Sequence, residues 1–302
     1  MPELPDIEVY LDALRERIEG HELLRVRLGS PFLLRSVDPT LADVAGRRVI
    51  GLQRLGKRIV IALDGNLHLV VHLMVSGRLR WADPDAKLPG KLGLAAFDFK
   101  AGTLILTEAS KKKRASLHVI RGAAGLREHD PGGIDPMTCD AETFATTLRA
   151  STHTLKRALT DPRIFSGVGN AYSDEILHVS RLSPFKRTDK IDSEEIERLR
   201  QATVEVMQEW LSRLRKERGE GFPTRVTAFR EEMRVHGRYG KPCPVCSKPV
   251  QRIVYAANEA NYCATCQTGG KLLADRALSR LLKKDWPRSL EELEQRKREQ
   301  SD

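Results

Sequence analysis

Residues 243–266 read CPVCSKPVQRIVYAANEANYCATC, and this stretch determines the fold of the C-terminal region. Two Cys-x-x-Cys pairs, Cys243 with Cys246 and Cys263 with Cys266, are separated by sixteen residues, a spacing typical of a four-cysteine zinc ribbon. The alternative is a pair of disulfides, which a cytosolic chain would not normally keep. The sequence therefore predicts that four thiolates bind one structural Zn²⁺.

The segment around these cysteines carries much of the positive charge of the chain. The chain has 51 Lys+Arg and 41 Asp+Glu among its 302 residues, a formal net charge of +10. Between Arg234 and Trp286, ten basic residues stand against three acidic ones. A basic surplus indicates an acidic partner, of which nucleic acid is the commonest. Residues 248–255 and 259–262 are expected to pair as a hairpin between the cysteine pairs.

Composition excludes two broad classes of protein. With 40% hydrophobic and 30% charged residues, the chain has enough apolar material for a packed core, so global disorder is excluded. No apolar run approaches the roughly 18 residues of a membrane span, and the N-terminal MPELPDIEVY is acidic where a signal peptide would be basic. We therefore expect a cytoplasmic monomer with no membrane partner, associated with the nucleoid if the source is bacterial.

The first part of the chain has the pattern of a helix followed by a β-sandwich. Ile7, Leu11, Leu14 and Ile18 recur at helical spacing from Pro5 onward. Short β-like runs separated by tight turns follow, a pattern typical of a β-sandwich. These runs are residues 23–28, 48–52, 58–63, 67–73, 94–99, 103–107 and 116–120. Helical patterns then take over, at 141–149, 154–159, 170–179 and 193–217, so the fold class is α+β.

The extreme N-terminus has the residues of a covalent catalyst. Met1 before Pro2 is a favourable substrate for methionine removal, which would leave the secondary amine of Pro2 as the new terminus, next to Glu3. Attack of this amine on a sugar C1′ gives an iminium, or Schiff base, and Glu3 could serve as general acid and base during opening of the sugar ring. The positive end of the following helix favours the neutral amine.

Several motifs occur together in one order along the chain. They are MPELPDIE at the N-terminus, Gly56-Lys57, His72-Leu73-x-x-Ser76-Gly77, Gly167-Val168-Gly169-Asn170 and the zinc ribbon. In this order they resemble the formamidopyrimidine-DNA glycosylase / endonuclease VIII family, over about residues 1–270. The resemblance implies a β-sandwich flanked by helices at 1–130, a helix-two-turns-helix domain at 137–232, a zinc finger at 233–270 and a helical tail at 271–302.

The resemblance also implies a function and a set of site residues. The function is a bifunctional DNA glycosylase and abasic-site lyase of base excision repair, acting on damaged DNA through Pro2 and Glu3. Lys57 matches a loop lysine that assists catalysis and contacts phosphate; an alternative is a solvated hairpin lysine. Asn170 matches a phosphate ligand, or is an ordinary helix N-cap. Lys156 matches a lysine directed toward the DNA, or is a plain surface lysine.

Other positions depart from the family pattern. Where members that excise oxidised purines have a void-filling Met, this chain has Val75, and the adjacent Met74 is the expected substitute. The loop that normally carries an Arg and a Phe wedge is here the basic run 111–114, which could hold phosphates or be merely solvated. His72 is expected to be structural rather than catalytic. Asp6 stands in place of the usual Glu, and the lesion-capping segment 219–232 is short.

The zinc finger departs from the pattern as well. The arginine expected five residues before the third cysteine is Asn258, and Arg252 is the candidate to reach the DNA instead. The family's arginine assists the second elimination, so β-elimination is expected, with β,δ-elimination left open. Candidate substrates are a further-oxidised purine, an oxidised pyrimidine, an abasic site or a lesion in single-stranded DNA. Alternative functions are a non-catalytic, zinc-containing protein that binds damaged DNA, and an RNA-binding zinc ribbon.

Overall fold

The structure is a computed structural model that describes residues 1–227, 229–255, 258–274, 281 and 286–299. The chain separates into two compact units. The first contains residues 1–133 and 208–228, and the second contains residues 134–207 and 229–302. No helix in the described part of the chain is both long and apolar enough to cross a membrane.

The first unit begins with helix α1 (Leu4–Ile18), as the apolar spacing predicts. Glu3 and Asp6 form a capping box at its N-terminus, and Pro5 lies in its first turn. The apolar stripe of the helix, including Ile7, Leu11 and Leu14, is fully buried in the main hydrophobic core. The helix therefore holds the first residues of the chain against the sheet.

Eight strands form the β-sandwich of this unit, which confirms the predicted fold class. They are β1 (Glu22–Leu28), β2 (Arg47–Leu55), β3 (Arg58–Leu63), β4 (Leu67–His72), β5 (Gly77–Ala82), β6 (Gly93–Phe99), β7 (Gly102–Glu108) and β8 (Ser116–Arg121). Their order is β5-β7-β6-β1-β2-β3-β4-β8, with antiparallel neighbours throughout. A short β1–β2 pairing joins two four-stranded layers, whose inner faces share one core.

Helix α2 (Gly122–Glu128) covers part of the outer face of the second layer. Val60, Val70 and Ile120 point away from the main core and form a separate apolar cluster with Leu126 of this helix. The sequence pattern predicted neither α2 nor β5. In strand β5, Arg78 and Arg80 alternate with the buried Leu79 and the partly buried Trp81. This is the period-two pattern of a half-buried strand, so β5 could have been predicted from the sequence.

The second unit is mainly helical and ends in the zinc hairpin. Its helices are α3 (Ala141–Arg149), α4 (Leu155–Thr160), α5 (Asn170–Val179), the first part of α6 (Ser193–Arg218), α7 (Ala264–Thr268) and α8 (Leu290–Glu299). Strands β9 (Gln251–Tyr255) and β10 (Asn258–Tyr262) pair antiparallel, as the cysteine spacing predicts.

The end of α6 belongs to the first unit, whereas the sequence-based boundary at residue 232 assigned it to the helical domain. Ion pairs hold it to α1: Arg215 Nε lies 2.8 Å from Asp12 Oδ2, and Arg218 Nη2 lies 2.7 Å from Glu16 Oε1. The following Phe222 packs against Tyr10, with ring centroids 5.7 Å apart. These contacts, which join residues about 200 positions apart, have no local sequence signal.

The helix of the C-terminal tail, α8, is anchored at its first residue. Leu290, the first residue of α8, is 1% exposed and packs with Ile253 and Tyr262 of the zinc hairpin.

Four of the basic residues counted around the zinc ribbon, at positions 276, 280, 283 and 284, lie outside the described residues.

Candidate active site and zinc site

The N-terminus of the chain lies inside the first unit rather than on its surface. Pro2 is buried and Glu3 is only 2% exposed. The Glu3 backbone N–H donates to Asp6 Oδ2 at 3.0 Å, so the carboxylate of Asp6 fixes the backbone before α1. Asp6 therefore caps the N-terminus of α1, and the first residues have a defined position.

Burial also changes the charge state of the terminal amine. It is the main cause of the lowered pKa of the Met1 α-amino group, whose ordinary value is 8.0. Nearby Arg78 and Lys57 lower that pKa further, whereas the carboxylates of Glu3 and Asp6 raise it. The structure thus brings the predicted residues Glu3 and Lys57 to the same terminus, where a neutral amine is favoured.

Lys57 reaches the terminus from a tight turn. Gly56 and Lys57 connect β2 to β3, with Leu55 paired to Arg58 across the hairpin. Gly56 has a φ of 62°, a left-handed conformation that glycine adopts at little cost. The turn places Lys57 close enough to act on the charge of the Met1 amine.

Arg78 is a site residue that the sequence motifs did not reveal. It is half-buried, and its Nη1 donates to the carbonyl oxygens of Val75 at 3.1 Å and Gly77 at 2.6 Å. These bonds fix the guanidinium beside the β4–β5 turn. Since Arg78 directly follows the Ser76-Gly77 pair, the motif pointed to the turn but not to the arginine after it.

The β4–β5 turn exposes Val75 rather than Met74. Val75 is 57% exposed, whereas Met74 is half-buried and has a φ of 51°. The Gly77 N–H donates to the Leu73 carbonyl at 2.8 Å, and a Cβ on Gly77 would lie 2.2 Å from that oxygen. Glycine is therefore required for this turn. The proposal that Met74 fills the space of a flipped base depends on a side chain that is only partly accessible.

The basic loop at 111–114 lies next to this turn. Gly77 pairs with Glu108 across β5 and β7. The carboxylate of Glu108 is 1% exposed and accepts the backbone N–H groups of Arg114 at 2.9 Å and Ala115 at 3.1 Å. The Lys113 ammonium donates to the Glu108 carbonyl, so its charge is directed inward. Exposed positive charge remains at positions 111, 112 and 114.

In the second unit, Lys156 is not a surface residue, so that part of the sequence prediction is wrong. Its side chain is 3% exposed, and its ammonium donates to three oxygens: the Asn170 carbonyl at 2.6 Å, Ser173 Oγ at 2.8 Å and Asp174 Oδ1 at 2.6 Å. All three N–H groups are used inside the protein. Lys156 therefore positions the start of α5, and this conformation leaves no donor for DNA.

Asn170 is the first residue of α5, and the N-cap is Gly169, so the alternative of an ordinary Asn N-cap is wrong. Gly167 has a φ of 85°, which lets the loop turn sharply before the helix. The half-buried Asn170 side chain makes no hydrogen bond within the part of the chain that the structure describes. It remains available, with the amide groups of the helix N-terminus, for an anion.

A buried polar network connects the start of α5 to the zinc hairpin. Asp174 Oδ2 lies 2.8 Å from His236 Nδ1 and accepts from Asn261 Nδ2 at 3.3 Å. The next residue, Glu175, accepts the backbone N–H groups of residues 234, 235 and 236 at 2.7, 2.9 and 3.0 Å. Burial raises the pKa of Glu175, although these three bonds act in the opposite direction.

We expect Lys156→Met to destabilise the protein by about 3 kcal/mol, because it leaves the buried Asp174 carboxylate without the ammonium that it pairs with. The exposed Lys190 is the matched control, and its replacement by Met should change the free energy of unfolding by less than about 0.5 kcal/mol. Urea unfolding followed by circular dichroism measures both effects. Equal stabilities for the two variants would contradict the positioning role of Lys156.

Cys243, Cys246, Cys263 and Cys266 form the predicted zinc site. Their Sγ atoms all lie within 4.8 Å of one another, and the pairs 243–266 and 246–263 are 3.9 and 3.4 Å apart. Four sulfurs at about 2.3 Å from one ion would be separated by about 3.8 Å, so the donor set fits tetrahedral Zn²⁺. The site holds the two ends of the β9–β10 hairpin together.

His178 adds a contact to this site that the sequence did not predict. It extends from α5, is 3% exposed, and its Nε2 lies 3.2 Å from Cys243 Sγ. Its Nδ1 has no hydrogen-bond partner among the described residues, which favours the tautomer whose Nε2–H donates to the thiolate. This contact orients Cys243 as a metal ligand.

Arg252 lies on β9 of the zinc hairpin, where it is held on two sides. Its guanidinium carbon stacks 4.7 Å from the ring centroid of Tyr239, and Nη1 lies 3.6 Å from Glu259 Oε2. The side chain is 42% exposed, so it combines a fixed position with access to solvent. The side chain of Asn258 lies outside the described residues.

Three family models match the chain in consecutive segments. They are the formamidopyrimidine-DNA glycosylase N-terminal domain at residues 1–115, the formamidopyrimidine-DNA glycosylase H2TH domain at 133–217, and the zinc finger found in FPG and IleRS at 240–269. The matched segments agree with the sandwich, the helices and the cysteine hairpin described above.

Curated relatives match over most of their own length. The formamidopyrimidine-DNA glycosylase of Thermus thermophilus is 33% identical over 290 residues, covering 89% of this chain and 100% of the relative. An uncharacterised formamidopyrimidine-DNA glycosylase-like protein of Mycobacterium tuberculosis is 40% identical over 160 residues, covering 53% of this chain and 99% of the relative.

Solved structures show the same fold. Lactococcus lactis formamidopyrimidine-DNA glycosylase, bound non-covalently to DNA with an AP site, has a TM-score of 0.77 and 25% identity, covering 88% of this chain and 99% of that one. The same protein in complex with DNA containing an oxidised pyrimidine also has a TM-score of 0.77 and 25% identity, covering 88% of this chain and 100% of that one.

Proposed function

This chain belongs to the formamidopyrimidine-DNA glycosylase family, and from that membership we propose that it is a DNA-repair glycosylase with abasic-site lyase activity. It excises oxidised or otherwise damaged bases and then cleaves the strand. The observation that carries the proposal is the buried N-terminus, where the amine, Glu3 and Lys57 lie together.

The proposed chemistry begins when Met1 is removed and the neutral secondary amine of Pro2 attacks the sugar C1′. The bond from C1′ to the base breaks, and the base leaves with the bonding electrons and gains a proton. Glu3 takes the proton that the amine loses and donates it to the ring oxygen as the sugar opens to an iminium at C1′. Transfer of a C2′ proton to the Glu3 carboxylate then breaks the C3′–O bond and expels the 3′ phosphate, which is β-elimination. Hydrolysis of the iminium restores the amine.

Phosphate groups of the DNA require positive or N–H-bearing partners, and both units offer them. In the first unit Lys57 supplies an ammonium beside the terminus. In the second, the Asn170 side-chain amide lies at a helix N-terminus and has no hydrogen-bond partner among the described residues. The position of Arg252 on the zinc hairpin supports a further contact to the backbone. Contacts to phosphates determine the affinity for DNA and the position of the protein along the duplex, but they do not distinguish one base sequence from another.

The β4–β5 turn and the basic loop at 111–114 are the parts of the first unit that bear on which damaged base is the substrate. The exposed Val75 is shorter than the usual Met, and the loop at 111–114 presents long cations instead of an aromatic wedge. The cations attract phosphates, but neither they nor Val75 can replace an extruded base by stacking. We therefore propose a substrate other than oxidised guanine paired with cytosine, and β-elimination as the main cleavage step.

The test is a panel of oligonucleotides, single-stranded and duplex, that contain an oxidised purine, an oxidised pyrimidine or an abasic site. Released base and the chemistry of the strand ends are measured separately. Base release followed by an unsaturated aldehyde at the 3′ end supports the proposal. Tight, salt-sensitive binding without base release or cleavage of any member would instead identify a non-catalytic protein that binds damaged DNA.

A further inference from the structure

The outer face of the second β-layer carries a cluster of imidazole and guanidinium groups. Arg58 on β3 pairs with His72 on β4, and His118 on β8 lies opposite Val70 of β4. The alternate residues of these strands are in the main core, so these three side chains point outward. His129, just after α2, packs on His118 with ring centroids 4.6 Å apart.

Arg58 is the central group of this cluster. Its side chain is half-buried, and its guanidinium forms no hydrogen bond or ion pair with any residue that the structure describes. Desolvation lowers its pKa, and Asp130 opposes that effect only through its electrostatic field. An arginine partly withdrawn from water without a counter-ion costs free energy, so such a group is a candidate to bind an anion.

The histidines around Arg58 are kept uncharged when the site is empty. Burial lowers the pKa of His72 to about 4, and it also lowers those of His118 and His129. Arg58 lowers all three further by charge repulsion. A bound anion would offset the charge of Arg58 and raise the pKa values of these histidines. Protonated imidazoles would in turn bind the anion more tightly, so anion binding and proton uptake should be coupled.

Basic groups dominate the surroundings of the cluster. The elements around the cluster contribute the following titratable or charged groups: Lys57 and Arg58 from β3 and its turn, His68 and His72 from β4, His118 and Arg121 from β8, Arg35 from the segment before β2, Arg127 and Glu128 from α2, and His129 and Asp130 just after α2. The two acids lie at one side, and Asp130 already accepts the Gly132 N–H at 2.9 Å.

We propose that Arg58, His118 and His129 form a binding site for a phosphate of the DNA backbone, beyond the one that Lys57 contacts. This inference depends on the proposed function, because that function requires the protein to bind DNA. His118 on β8 lies two strands from the β2–β3 turn that carries Lys57, about 10 Å away at the usual spacing, which is far enough for a separate phosphate. Arg58 lies within electrostatic range of both His118 and His129. The cluster thus extends the phosphate-binding surface from the active site across the sheet.

The test measures binding to an uncleavable duplex that contains a tetrahydrofuran abasic-site analogue, between about 50 and 200 mM salt. Arg58→Gln should weaken binding about tenfold at the lowest salt and reduce the slope of log K against log salt by about 1. Arg58→Lys keeps the charge and should keep the wild-type slope. The matched control is Lys100→Gln, an exposed lysine in the β6–β7 turn, which should leave the slope unchanged.

A pH series gives a second, independent measurement. Protons are taken up when the phosphate binds, so wild-type affinity should rise as pH falls from about 7.5 to 5.5. The double variant His118→Asn, His129→Asn should show a clearly smaller rise, and it provides the test if Arg58→Gln does not fold. An unchanged salt slope in a folded Arg58→Gln variant, or an unchanged pH response in the double variant, overturns the proposal.

Inorganic phosphate distinguishes a DNA phosphate from a free anion. If millimolar phosphate shifts the His118 and His129 NMR signals while Arg58→Gln leaves DNA binding intact, the site binds free phosphate and the DNA assignment is wrong. Failure of wild-type protein to bind the duplex at all would count against the proposed function itself. Wild-type binding with identical slopes in Arg58→Gln and Lys100→Gln would count against this site alone.

Discussion

Glu3→Gln should reduce the single-turnover rate of base release by about 10²- to 10⁴-fold, the usual contribution of a positioned general acid or base. Gln has nearly the same shape and can still accept a hydrogen bond at the start of α1, so the fold and DNA affinity should remain close to wild type. What is lost is the proton that Glu3 provides during opening of the sugar ring. Rates are measured with enzyme in excess over a damaged oligonucleotide.

The control for this variant is Glu19→Gln, which removes the same charge from the exposed C-terminal end of α1. It should release base at the wild-type rate. If Glu3→Gln retained more than about a tenth of the wild-type rate, a role as general acid and base would be excluded. If it lost DNA binding together with activity, Glu3 would instead be a structural residue.

Cys263→Ser should abolish zinc binding and unfold the β9–β10 hairpin. Structural zinc supplies about 10 kcal/mol or more of folding free energy in small zinc modules, because the ligands are assembled only in the folded state. Cys263 is fully buried and is also the N-cap residue of α7. We expect one zinc per wild-type chain, nearly none in the variant, and a loss of affinity for abasic-site DNA.

Cys139→Ser is the matched control for that loss, since Cys139 lies outside the four-cysteine cluster. It should keep one zinc per chain and bind DNA normally. Metal analysis and fluorescence anisotropy with labelled duplex measure the two properties. Full zinc content in Cys263→Ser would contradict the assignment of the four ligands, and unchanged DNA affinity without zinc would exclude the hairpin from the interface.

Features encoded in short stretches of sequence could be predicted. Helix α1 follows from the spacing of Ile7, Leu11 and Leu14, because a helix repeats every 3.6 residues. The zinc site follows from the spacing of two Cys-x-x-Cys pairs, since two such turns suffice to surround one ion. The family and the β-sandwich were also predicted and are confirmed.

Features that depend on distant contacts could not be predicted. Lys156 reads as a surface lysine, yet its partner Asp174 is 18 positions away and both are buried. His178 and Cys243 are 65 positions apart, and nothing in either local pattern indicates that they meet. Arg78 is one of many arginines, and only the fold places it beside the N-terminal amine. Burial of a charged group is decided by tertiary structure, so local patterns assign it to the surface.

Borohydride trapping on abasic-site DNA tests the proposed chemistry most directly. Protein with Met1 removed should give a covalent adduct whose mass and peptide map place the cross-link on the Pro2 amine, and Pro2→Gly or retained Met1 should greatly reduce it. Trapping should increase with pH, because only the neutral form of the Pro2 amine can attack C1′. Absence of an adduct from processed wild-type protein, on both single-stranded and duplex DNA, would contradict the Schiff-base mechanism.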